Sequence, residues 1–71
     1  MKAYRTESSY YFSSKQLLPK GALVFFSIKI QRYVNPQDGI LFDPHPRLQL
    51  LSEEESRKLE SRWQEELARY I

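Results

Sequence analysis

The 71-residue sequence contains no cysteine, so neither a disulfide framework nor a thiolate zinc site can staple it. Glycine occurs only at Gly21 and Gly39, which excludes a glycine-rich loop that cradles phosphate. The one histidine, His45, lies between Pro44 and Pro46. With no partner at ligand spacing and no nucleophile beside it, it reads as a loop residue and not as a catalytic or metal-binding one. The cluster Glu53 to Glu55 resembles paired carboxylates for acid/base work, but helix capping accounts for it. The longest apolar run is ALVFF, residues 22–26, far short of the roughly 20 residues of a membrane helix. The N-terminal stretch MKAYRTESSYY lacks the apolar core of a signal peptide. These absences lead to the expectation of one small domain, intracellular (cytoplasmic, nucleoid or nuclear), away from membranes, not an enzyme and without a cofactor.

Charge and aromatic rings are unevenly spread. Residues 1–34 hold six cations against Glu7 alone, a net +5, while residues 35–71 hold five against eight acids, a net −3. Seven of the ten aromatic residues also fall in the first 34 positions. A region both basic and aromatic suits single-stranded nucleic acid, cations meeting phosphates and rings stacking on bases. Strands are rich in aromatics for packing reasons too, so burial against a protein remains an equal alternative.

Residues 3–15, rich in Tyr, Phe, Ser and Thr, read as a first strand. Pro19-Lys20-Gly21 is a turn, since Pro presets one position and Gly allows a positive φ. Residues 22–34 read as a long second strand. A period of two sets Ala22, Val24, Phe26, Ile28, Ile30 and Val34 on an apolar face and Leu23, Phe25, Ser27, Lys29, Gln31 and Tyr33 on the other. Asn35 to Gly39 is a second turn, residues 40–42 are a short third strand, and residues 47–50 offer a fourth. Because LVFFSI is prone to aggregate on a bare edge, it is expected at mid-sheet or in a pairing interface.

Ser52 followed by Glu55 is a capping box and predicts a helix over residues 53–70. Its stripe Leu59, Trp63, Leu67 and Tyr70 needs a surface to dock on. The even-numbered face of residues 22–34 is the largest apolar surface on offer, which gives an α+β fold of three to four antiparallel strands with one C-terminal helix. Such packing leaves the odd-numbered face, with its rings and cations, pointing away from the helix.

Residues 9–16, SYYFSSKQ, followed by residues 20–30, KGALVFFSIKI, resemble the first hairpin of a Pur-alpha-type repeat. The succession of strands and a C-terminal helix is similar to the unit shared by Pur-alpha, Whirly and positive-cofactor-four proteins. That resemblance implies a sheet that binds single-stranded DNA or RNA in paired or dimeric units, with Lys15, Gln16 and Lys20 among the contacts. Together the two lines of reasoning assign Arg5, Tyr11, Lys15, Gln16, Lys20, Phe25, Lys29, Gln31 and Tyr33 to the binding face. Its partner is single-stranded nucleic acid or, in the alternative, a protein for which the chain serves as an adaptor or regulatory subunit. In either case the chain is expected to be a homodimer.

Overall fold

The computed structural model describes residues 1–13, 16–43 and 47–71, with only the backbone of Tyr10, Phe12 and Ser13. Along the chain come β1 (Ala3–Thr6), β2 (Tyr10–Ser13), β3 (Gln16–Leu18), β4 (Leu23–Ser27), β5 (Arg32–Asn35), β6 (Ile40–Phe42), β7 (Leu48–Leu50), α1 (Glu53–Arg62), α2 (Gln64–Leu67) and a 3-10 turn (Ala68–Tyr70). The α+β class is as expected. Five strands form an antiparallel sheet in the order β6-β5-β4-β1-β7, while β2 and β3 make a separate ribbon. LVFFS lies in the middle of the sheet as β4, where both of its edges are paired. No helix among the described residues is long and apolar enough to cross a membrane.

Local chemistry explains most of the chain reversals. Gly21 takes φ 78° and Gly39 φ 73°, left-handed values that a Cβ disfavours. The Asn35 side chain accepts from the Gln37 amide (2.9 Å) and its carbonyl from Gly39 (2.8 Å), an Asx turn that closes the β5–β6 hairpin. At the start of α1 the Ser52 hydroxyl accepts from the Glu55 amide at 3.2 Å. The helix is not continuous. Trp63 leaves helical geometry (φ −104°, ψ 24°) and separates α1 from α2.

Two expected strands are each divided. Residues 3–15 split where β1 stays in the sheet and β2 leaves to pair with β3. Residues 22–34 are not one strand but a hairpin whose turn, residues 28–31, joins β4 to β5. Gln31 there adopts φ 57° and its side-chain amide donates to the Ile28 carbonyl at 2.8 Å. The Ser27 hydroxyl accepts from the Ile30 amide (3.3 Å) and donates to the Tyr70 carbonyl (2.5 Å).

That turn resets the alternation, and the helix packs on the opposite face from the one expected. Phe25 stands across from both Ala3 and Val34, and Val34 across from Leu41. Ala3, Phe25, Val34 and Leu67 are fully buried together, with Leu23, Leu59, Trp63 and Tyr70 packed around them. The C-terminal helices therefore cover the face of Leu23, Phe25 and Ser27, and the expectation that they cover Val24 and Phe26 is corrected. The physical reason is that LVFF is apolar on both sides, as in a strand buried front and back. On the other side β3 supplies Leu18 to a second core with Val24 and Phe42. Ser56, buried in α1, accepts from the Ala3 amide at 3.2 Å and ties the helix to β1.

Candidate functional site

The ribbon covers only part of the face opposite the helices. Beyond it, Lys2, Tyr4, Phe26, Ile28 and Tyr33 line a hollow of about 310 Å³. Pairing builds it. Phe26 lies across from Tyr33 in the β4–β5 hairpin, and on its other side the Phe26 amide donates to the Lys2 carbonyl at 3.1 Å. Lys2, just before β1, thus forms one row with Phe26 of β4 and Tyr33 of β5, and Tyr4 of β1 lies two residues on from Lys2.

Tyr33 is the centre of the ring cluster. Its ring meets Tyr4 edge-on at 5.5 Å and 75°, meets Phe26 at 5.0 Å and 64°, and stacks on Phe42 at 5.7 Å and 18°. These are the offset and edge-to-face arrangements favoured by aromatic quadrupoles. Burial pushes the Tyr33 phenol above its ordinary value of 10.0, and the neighbouring Tyr4 adds to the rise by charge and by hydrogen bonding. The hollow therefore offers a neutral hydroxyl, three ring walls and one ammonium group.

A second hollow, about 490 Å³, adjoins the first and shares Lys2 and Ile28 with it. It runs between the end of the sheet and α1, lined also by Leu50, Glu53 and Arg57. Glu60 in its wall pairs with the Met1 amine at 2.7 Å. Ile28, 75% exposed, lies between the two hollows beside Lys2, and Leu50, 56% exposed, adds apolar surface to the second.

The nine residues expected at the site do not form one patch. Tyr33 lies in the hollow, and exposed Lys29 and Gln31 lie in the turn that begins with Ile28. Phe25 is excluded, since it is fully buried beneath the helices and can meet no ligand. Arg5 is across from Leu23 on the helix side, and its guanidinium donates to the Gly21 carbonyl at 3.0 Å. Exposed Lys20 sits in the adjacent turn. Both are at the opposite end of β4 from Lys29. Tyr11, 67% exposed, and Gln16 belong to the ribbon. Lys15 and His45 lie outside the described residues.

Lys2, Tyr4, Phe26 and Ile28 were missed. Lys2 and Tyr4 share parity in MKAY, and the unbroken apolar run LVFF signals a strand with two working faces. No family model matches this chain, and neither does any curated protein or solved structure. What the face binds has to be read from its own chemistry.

Proposed function

We propose that this chain is a non-enzymatic binding module that holds single-stranded nucleic acid on the sheet face left open by its helices. One observation carries the reading: the rings of Tyr4, Phe26 and Tyr33 converge on a single hollow with Lys2 at its wall. A flat base fits such a hollow by stacking, worth about 1–3 kcal/mol per base, and needs no particular base edge. Lys2 and the nearby Lys29 meet the flanking phosphates, whose released counterions favour binding. The likeness of residues 9–30 to a Pur-alpha-type hairpin supports the same partner class. In this reading the protein works inside the cell as a homodimer and does no chemistry on its ligand.

The test is the anisotropy of a dye-labelled oligothymidylate titrated with the full chain at several salt concentrations. Binding is expected to weaken steeply with salt, and the double change Lys2→Ala with Lys29→Ala to flatten the log–log slope by about 0.7 per lysine. Failure to bind at low salt, or binding indifferent to salt, overturns the reading. A second reading then takes over, a protein partner on the same face, favoured by the exposure of Ile28 and Leu50 beside the hollow.

A further inference from the structure

We propose that the outer edge of β7 is where two copies of this chain pair, strand against strand, about a two-fold axis at Gln49. In the sheet order β7 is terminal and, among the described residues, is bonded to β1 on one side only. The Leu51 amide donates to Ala3 and the Glu7 amide to Arg47, each at 3.0 Å, and Gln49 stands across from Arg5. Residues 47, 49 and 51 therefore turn their backbone groups toward β1. By the alternation of an antiparallel ladder, the amides and carbonyls of Leu48 and Leu50 point outward.

Such an edge is a template for another strand unless something blunts it. The sequence Leu48-Gln49-Leu50 carries no proline, no charge and no glycine. The opposite edge differs: the Phe26 amide bond to Lys2 turns Phe26 toward β1, so Tyr33 and Asn35 turn their backbone groups toward Phe42 and Ile40, and of the three residues of β6 Leu41 alone turns its own outward.

The occupant is a second copy because the edge is complementary to itself. A two-fold at Gln49 sets Leu48 across from the partner's Leu50, and Leu50 across from the partner's Leu48, making four backbone hydrogen bonds. Leu50, more than half exposed in one copy, then lies beside Leu48 of the partner on the same sheet face. Charge agrees. Arg47 precedes the strand and Glu53, Glu54 and Glu55 follow it, so antiparallel pairing brings opposite signs together, whereas parallel pairing aligns like with like.

Pairing joins the two sheets into one and sets both ring-lined hollows on the same face, separated by roughly 20–25 Å across the strands at ~4.8 Å per strand and offset further along them. A single nucleic-acid strand crossing both would gain by linkage. This last consequence rests on the nucleic-acid reading; the pairing does not. A three-residue edge buries less than the roughly 800 Å² per partner of a standard interface, so the dimer dissociates on dilution.

The experiment uses the absence of native cysteine. Gln49→Cys places two thiols across a non-hydrogen-bonded pair, where Cα atoms approach about 4.5 Å, within disulfide reach. Under mild oxidation this variant is expected to form a covalent dimer about tenfold faster than Arg69→Cys, an exposed position away from β7. Sedimentation equilibrium of the unmodified chain is expected to show dimer growing with concentration, and Leu50→Lys, verified as folded by circular dichroism, to remain monomeric. Equal cross-linking of the two cysteine variants, a chain monomeric throughout, or a dimer untouched by Leu50→Lys each overturns the proposal. A cross-linked dimer that ignores oligothymidylate overturns the ligand and leaves the pairing.

Discussion

The two faces of β4 are made of nearly the same residues and do different work. Beneath the helices, Phe25 joins Ala3, Val34 and Leu67 in a core with no access to water. On the other side, Phe26 and Tyr33 lie in a partly open hollow, beyond the second core where Leu18 from the ribbon meets Val24 and Phe42. Two adjacent phenylalanines thus divide into one sealed in the core and one left partly exposed at the hollow. Hydrophobicity does not separate them; what lies above each one does.

The comparison breaks most visibly at that pair. Phe25→Ala is expected to cost about 3–5 kcal/mol, most of the stability of a domain this small, which is about 4–10 kcal/mol. Phe26→Ala is expected to cost about 1 kcal/mol, the ordinary cost of a single change. Urea denaturation measures both, and equal midpoints would erase the distinction between the faces. Next in size is Ser27→Ala, which strands the Tyr70 carbonyl and the Ile30 amide on the helix side and is expected to cost about 1–3 kcal/mol.

The open face is sharpened by pH. Since the Tyr33 phenol titrates above 10.0 in the folded chain, chiefly through burial, the native state retains a proton that the unfolded state has given up. Stability is unaffected well below 10.0 and falls as pH rises from there through the folded value. Denaturation midpoints collected from pH 8 to 11 should show this decline in the native sequence and a weaker one in Tyr33→Phe. The smallest effect is in the turn linking the faces. Gln31→Gly relieves a left-handed residue at the cost of a looser unfolded chain, for a net gain of about 0.5 kcal/mol. A loss of midpoint there would mean that the Gln31 side-chain bond to Ile28 outweighs the strain.

Features with local chemical signals were readable in the sequence. Ser52 capping α1, the turns at Gly21 and Gly39, the short strand Ile40–Phe42 and the stripe Leu59, Trp63, Leu67 and Tyr70 all appear where residue chemistry puts them. The turn at residues 28–31 gave no such signal, because it uses Gln31 where a glycine or asparagine would have announced a left-handed position. Missing it carried one parity through two strands and assigned the helices to the wrong side of Phe25. Tyr33 kept its place at the site for a reason unavailable beforehand: the reversal sets an odd-numbered residue across from an even-numbered one, Phe26. Lys2 and Tyr4 were lost with the same parity. The departure of β2 into its own ribbon depends on what Leu18 finds to cover, which is a property of the assembled sheet and not of residues 7–9.

The interruption at Trp63 equips the molecule with an optical gauge. It holds the only tryptophan in the chain, its indole packs against the core beneath the helices, and it lines a hollow of about 280 Å³ together with Leu17, Leu18 and Pro19 of the ribbon and the turn after it. Intrinsic emission excited at the red edge therefore comes from one indole at the junction of helix, sheet and ribbon. A spectral shift without loss of backbone dichroism would record these parts loosening from one another while each stays formed.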